Sequence, residues 1–547
     1  MRSRLWLVFA VLLATTLAAQ TTAPKEPAKC MVQGQVVQEP GARPIRKATL
    51  ELNPDDREDG TSYTAVSDAE GHFKIEKIEP GRYTLWVRHD GFSGLRKHHR
   101  GRSLTLEPGQ ELKDLVFRLQ PTAVITGKIV DNEGDPVPRA YVFVTSYQGS
   151  DRRRGFRGTG QTNDLGEYRI SNLESGRYLI TSNPEVQFSQ RSRVEGDRRP
   201  VPYITYYPGT TDKAQAVPVD LHAGDELPAN FALAYGPAFR IRGTVSGIPA
   251  TEIPGLSVML GSKDAGWPIG ASDTEVKKDG SFEIHNVLPG SYLVWLMNST
   301  SAPEAMFAAQ TIEVKDSDLE NVRLTPVSTS EVRGQLRLEN GQKADWAGAS
   351  LFLQSSDDPT DLRGEFQGQR ETTQAQVKKD GSFDMKTVPA GNYRVRVFSG
   401  LAALRDCFVK SINDGGKDVA DSGFSVSGGG LFLDVVLSSN GAHVEGVVAG
   451  EKNQPIADAE VVVIPEATRQ KRRDLYQQGT ADQHGHFNLR GLSPGEYTVM
   501  ALEDLDDNFR DPEFLKSHEG IGQTIHLDEG EHKSISLQLL LPANDAK

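Results

Sequence analysis

The sequence predicts an all-β protein of five β-sandwich domains in tandem. Three observations carry this. First, the stretch "HGHFNLRGLSPGEYTV" (484–499) has four relatives in the same chain. They are "GHFKIEKIEPGRYTLWV" from Gly71, "GEYRISNLESGRYLI" from Gly166, "GSFEIHNVLPGSYLVWL" from Gly280 and "GSFDMKTVPAGNYRVRV" from Gly381. Second, an aliphatic-x-Gly-x-aliphatic run stands about 50 to 60 residues before each copy's tyrosine: "VQGQV" (32–36), "ITGKI" (125–129), "IRGTV" (241–245), "VRGQL" (332–336) and "VEGVV" (444–448). Third, the aligned tyrosines, Tyr83, Tyr178, Tyr292, Tyr393 and Tyr497, lie 95, 114, 101 and 104 residues apart, and no long window has helix periodicity. A period of roughly 100 residues, filled with short strands and turn signals, is the size of one sandwich.

Within the repeat each position has a structural reason. The aromatic ten residues before the tyrosine (Phe73, Tyr168, Phe282, Phe383, Phe487) and the apolar residue two further on share one face of a strand. The glycine two before the tyrosine is invariant, and proline precedes it in three copies, as a tight turn requires. Tyr-x-aliphatic opens a second strand with the same period. The glycine of the upstream run leaves room for a close neighbour. Five buried apolar positions at ~1.5–3 kcal/mol each supply on the order of 10 kcal/mol per bead before chain entropy is subtracted. Recurrence is therefore a folding requirement and no sign of catalysis.

The elements follow in order. Residues 1–19, "MRSRLWLVFAVLLATTLAA", have a basic start, an apolar run and small residues before a cut, as in a secretory signal peptide. The run is too short to span a bilayer. Residues 20–29 read as a linker. The sandwiches are expected at 30–121, 122–237, 238–329, 330–440 and 441–547. The second carries basic and tyrosine-rich insertions, "DRRRGFRG" (151–158), "RSRVEGDRR" (191–199) and "YITYYPGT" (203–210). Removing Arg2 and Arg4 with the leader takes the formal charge from -13 to about -15, the wrong sign for a nucleic-acid binder. The two cysteines, Cys30 and Cys407, fall in different domains; two free buried thiols are expected, with a disulfide between them as the alternative.

These motifs resemble the carboxypeptidase regulatory-like domain family, a prealbumin-like, Ig-like sandwich related to Cna B-type and starch-binding-like folds. The resemblance rests on aliphatic-x-Gly-x-aliphatic, Pro-[Ile/Val]-x-x-Ala-x-[Val/Leu], Gly-x-[Phe/Tyr] and Pro-Gly-x-Tyr, and it covers nearly all of the chain after the leader. The last copy also resembles the closing domain of large exported bacterial repeat proteins. The resemblance implies an accessory or scaffold module, with sugar binding suggested only by analogy of fold.

Candidate chemistry is thin. The single His-x-x-Glu, His526 to Glu529, is followed only by His532, and a solvated strand and turn is the better reading. The acidic run 503–514, with Asp504, Asp506, Asp507 and Asp511, lacks the glycine and glutamate of a calcium loop and reads as solvated. An internal Lys–Asn isopeptide is not expected, since lysines such as Lys128 fall at outward positions. Tyr203, Tyr206 and Tyr207 beside the basic insertions, and Trp267 and Trp346 in turn-rich segments, are the candidate ligand-binding residues, weighed against ordinary edge packing. No catalytic residue, metal or cofactor is expected. The expectation is an exported, non-catalytic binding or scaffold protein, periplasmic, cell-surface or secreted. Its partner would be a carbohydrate or a surface protein. The alternative is a plain structural spacer, and an accessory part of a peptidase or glycan-degrading system ranks below both.

Overall fold

The structure, a computed structural model, describes residues 28–540 apart from 56–60, 95–100, 148–155, 184–199, 252, 264–271, 299–307, 327–328, 357–372, 399–403, 504, 506–508 and 511. Residues 1–19, expected as a signal peptide, and most of the expected 20–29 linker lie outside these residues.

The first sandwich shows how the motifs work. Its strands are β1 (Cys30–Gln38), β2 (Thr49–Pro54), β3 (Tyr63–Val66), β4 (His72–Ile78), β5 (Gly81–Arg88), β6 (Phe92–Gly94), β7 (Arg102–Leu106) and β8 (Glu111–Pro121). They form two sheets, ordered β4-β1-β8-β6 and β3-β2-β5-β7. Between them Val32, Val36, Leu50, Leu52, Phe73, Ile75, Ile78, Tyr83, Leu85 and Leu104 make a core in which each is buried. Strand β1 is antiparallel to β4 but parallel to β8. The opening and closing strands of the bead are thus neighbours, which ties its two ends together.

The same plan recurs four times. In the last copy Ala442–Ala449 is antiparallel to His486–Leu492 and parallel to His532–Leu540. Distinct apolar clusters fill the later copies, around Ile125 and Tyr178, Ile241 and Tyr292, Val332 and Tyr393, and Val444 and Tyr497.

Two recurring signatures prove to be one device. The glycine of the opening strand and the aromatic of the next are direct cross-strand partners in every copy: Gly34 with Phe73, Gly127 with Tyr168, Gly243 with Phe282, Gly334 with Phe383 and Gly446 with Phe487. In the last four the ring sits over the glycine, so close that a Cβ there would lie 2.2 to 3.2 Å from it. A glycine weakens a strand, and an aromatic laid across it restores the lost contact.

The tyrosine has its own reason. Its hydroxyl donates to the carbonyl four residues earlier at 2.8 Å in Tyr83 and Tyr178 and at 2.9 Å in Tyr292, Tyr393 and Tyr497. Phenylalanine would fill the core equally well but leave that carbonyl unpaired, at about 1–3 kcal/mol. Burial pushes the Tyr497 hydroxyl up to about 12, so it remains a donor at neutral pH.

The demand for glycine lies partly elsewhere than the Pro-Gly turn. Gly81, Gly290, Gly391 and Gly495 have φ from 144° to 159°, and Gly176 does not have positive φ. The left-handed glycine is the one that starts each stretch, such as Gly381 (φ 83°), where a Cβ would lie 2.2 Å from the carbonyl oxygen of Leu336.

The fifth copy departs from two separate sheets. Gly495–Leu502 also pairs in parallel with His532–Leu540 through Ala501–Leu539 and Leu502–Leu540, joining its strands into one continuous sheet. A second small core covers its outer face: Val462, Ile464, Tyr476, Met500, Leu502, Leu505 and Phe509, near the short helix Pro512–Ser517.

Candidate functional site

Among the described residues, those singled out from sequence do not converge on one site. Trp346 is 4% exposed, inside the core of the fourth sandwich. This corrects its reading as a stacking surface, because no ring face is left open. Tyr206 is likewise buried, pairing with Thr181 along a strand. Tyr207 is half-buried, edge-on to Phe231 at 6.0 Å, on the rim of the second core. Tyr203 donates its hydroxyl to the Pro237 carbonyl at 2.7 Å and is half-buried. Trp267, the 191–199 run, Arg152 to Arg154, and Asp504, Asp506, Asp507 and Asp511 lie outside the described residues.

The histidines are engaged separately. His526 Nδ1 is 2.7 Å from Glu496 Oε1, which with Asp528 raises its pKa. Glu529 instead accepts from Lys410 (2.8 Å) and Ser438 (2.6 Å). His532 lies against His443, with ring centroids 4.4 Å apart. Among the described residues no three of His, Cys, Asp and Glu are placed to hold a metal ion. Cys30 and Cys407 are both free, and burial, with Asp406 beside it, pushes the Cys407 thiol up to about 11. Such a thiol is un-ionised at neutral pH and a poor nucleophile. The backbone N–H of Lys128 donates to Asn230 Oδ1 at 2.7 Å, and the residue is exposed.

What the structure does bring together is the junction of the fourth and fifth sandwiches, built from residues the other copies lack. Arg490, in the strand His486–Leu492, makes two parallel bonds to Asp406, Nε to Oδ1 at 2.7 Å and Nη2 to Oδ2 at 2.6 Å. His443 Nε2 lies 3.2 Å from the same Asp406, while burial keeps its imidazole below the ordinary pKa. On a second side Arg472, its side chain 6% exposed, reaches Asp421 of the fourth sandwich at 2.9 Å and Asp474 of the fifth at 2.6 Å. On a third, Lys410 bridges Glu339 and Glu529, at 2.8 Å to each. The backbones come close at two glycines of the fifth sandwich: a Cβ on Gly441 would stand 2.5 Å from the Asp406 carbonyl oxygen, and one on Gly491 2.3 Å from that of Arg405. Forked arginine–carboxylate pairs fix orientation as well as distance. One forked pair, Arg490 with Asp406, and the single reaches of Arg472 and Lys410 join the two beads around this close approach.

A different surface lies on the second sandwich. Tyr147 and Phe156 are 48% and 45% exposed, and the Arg177 guanidinium lies over the Tyr147 ring at 4.8 Å. Both rings escaped the sequence reading, although Phe156 lies within its first basic run.

The family model of the carboxypeptidase regulatory-like domain matches residues 31–120, which span β1 to β8. The first sandwich is thus similar to a carboxypeptidase regulatory-like domain. The other four copies repeat its glycine–aromatic pair and its tyrosine bond. No curated protein matches the chain. Among solved structures, a Bacillus anthracis TIE protein aligns at 12% identity over 55% of this chain and 51% of its own, with a TM-score of 0.17. A streptococcal ancillary pilin aligns at 13% identity over 55% of this chain and 99% of its own, TM-score 0.18. The minor pilin of Streptococcus agalactiae aligns at 12% over 38% and 97%, TM-score 0.21. This chain therefore spans about half the length of the Bacillus anthracis protein, and likenesses of this size fix no function. Among the described residues no helix is long and apolar enough to cross a membrane.

Proposed function

We propose that the chain is an exported, non-catalytic scaffold of five carboxypeptidase regulatory-like sandwiches, bounded at 30–121, 122–237, 238–329, 330–440 and 441–547. It acts by holding its beads, and whatever they carry, in set orientations. One observation supports this most: the copy-specific charged side chains at the fourth–fifth junction are spent on contacts between beads, Arg490 with Asp406 above all. The reading predicts a narrow distance distribution between spin labels placed on the fourth and fifth sandwiches. Asp406→Ala, which strips both bonds from Arg490, should broaden it severalfold without unfolding either bead. A distribution equally broad in the intact protein would sink the scaffold reading.

Carbohydrate binding is the second reading. The exposed Tyr147 and Phe156 with Arg177 favour it, since sugars bind by ring contact and hydrogen bonds from a fixed cation. Tyr203, beside the insertions, and Trp267 are kept as proposed contributors. On a glycan array the intact protein should retain a defined set of sugars. Tyr147→Ala should lower that signal about tenfold, as loss of ~1.4 kcal/mol implies. No retention by intact protein rejects the sugar and leaves the plain scaffold.

A further inference from the structure

Among the described residues β7 ends its sheet, and one side of its backbone has no strand partner there. At Thr105 that side is nevertheless satisfied, by a side chain 378 residues away. Gln483 Oε1 accepts from the Thr105 N–H at 3.1 Å, and Gln483 Nε2 donates to the Thr105 carbonyl at 2.7 Å. The amide of one glutamine thus takes the place of a neighbouring strand. Beside it Arg102 of β7 forms an ion pair with Asp458 at 3.1 Å. Their side chains are 20% and 26% exposed. Among the described residues, these contacts join the first bead to the fifth.

Both contacting residues sit at positions that every copy has, and only the fifth copy has the right chemistry there. Gln483 is the second residue of the turn before the left-handed glycine. Its counterparts are Ala69, Asp164, Lys278 and Lys379. Alanine offers nothing to a backbone edge, an ionised aspartate only accepts, and a lysine only donates. Glutamine alone among the five does both. The turn is pinned by Asp482, whose Oδ1 accepts from the N–H groups of His484 (2.9 Å) and His486 (2.9 Å). Asp458 occupies the positive-φ position before the second strand. Its counterparts are Lys47, Arg139, Gly255 and Gly348. Two are cationic and would repel Arg102, and two have no side chain.

We propose that the edge of β7 is the docking site for the chain's own fifth sandwich, closing the string of beads head to tail with Gln483 as the clasp. The contact is small, and a polar cleft of about 350 Å³ lined by Arg82, Glu445, His486 and Asn488 remains beside it. So small a contact holds because both partners belong to one chain, which makes docking intramolecular, at an effective concentration of about a millimolar or less. Closure also covers an unpaired strand edge, a group that otherwise invites pairing with other chains. The inference stands whether or not the beads bind a sugar.

Amide hydrogen exchange and small-angle scattering on the full chain test it. In the intact protein the Thr105 amide should be protected, and Gln483→Ala should speed its exchange about tenfold or more while the radius of gyration rises. Asp458→Arg should also open the chain, and adding Arg102→Asp should close it again. That rescue separates docking from misfolding. Exchange at Thr105 equal in intact and Gln483→Ala protein overturns the proposal. So does a charge swap that fails to restore the compact form. Protection that vanishes on dilution, with a dimer seen by light scattering, places the contact between copies and overturns it as well.

Discussion

Gly446→Ala is expected to unfold the fifth sandwich at temperatures where the first three remain folded. A Cβ at this position would stand 1.7 Å from the carbonyl oxygen of Ile535 and 2.8 Å from its carbon. Ile535 is the parallel partner of Gly446 in the closing strand. The obstacle is backbone held in a ladder, so no rotamer change can clear it. Relief requires the opening and closing strands to part, and Phe487, laid against the same glycine, must move with them. Overpacking of a core costs roughly 1–3 kcal/mol, and a clash with fixed backbone belongs at or beyond the upper end, about 3 kcal/mol or more. For a bead of this size that lowers the melting temperature by on the order of 15 °C. Differential scanning calorimetry of the full chain should show one component shifted down. Gly430→Ala is the control, since its new methyl would meet only the Glu331 carbonyl oxygen at 4.0 Å. Equal melting of the two variants would refute the role assigned to the opening-strand glycine.

That glycine was legible in sequence as a place of close approach, but the neighbour was not. The closing strand lies about 90 residues further on, and nothing in an alternating run such as "KSISLQLLL" names its partner. Period two reveals which residues face inward, and it was enough to place Phe487, Leu489, Tyr497 and Val499 in one core. Register and sheet order come from packing between segments far apart in sequence. Trp346 failed for a local reason. It sits in "KADWAGAS", where turn residues break any period, so burial could not be read from its surroundings. In 503–514 the acidic residues masked Leu505 and Phe509, which close the outer core of the fifth sandwich. The bead-to-bead contacts did leave a signal. His484 and Arg490 had no counterparts in the other copies, and Arg490 proved to bind Asp406. Gln483, one residue before the recurring stretch, carried the same kind of signal and was overlooked.

Arg472→Ala is expected to destabilise the fourth and fifth sandwiches together. The guanidinium is nearly buried between a carboxylate from each bead, Asp421 at 2.9 Å and Asp474 at 2.6 Å. Removing one partner of such an arrangement leaves charges without compensation, at about 3–5 kcal/mol when both are fully buried. Asp421 is more exposed than Asp474, which places the expected cost near the lower figure, about 3 kcal/mol. Over two beads this lowers their shared melting temperature by on the order of 10 °C. Arg472→Lys should recover only part of it, because an ammonium cannot reach both carboxylates as a planar fork does. The effect carries a pH signature. Burial alone would raise the Asp421 pKa, but the hydrogen bond and charge of Arg472, with Arg469 behind it, outweigh burial and hold it below the ordinary carboxylate value. The folded pKa is thus lower than the unfolded one. Stability from this pair is fully present above the unfolded value of about 4 and is lost as pH falls through the folded one. Calorimetry at pH 7 and again below pH 4 should show the gap between intact protein and Arg472→Ala narrowing in acid. A gap of the same size at both pH values would mean that Arg472 acts by packing alone, and that the two beads are not joined through their charges.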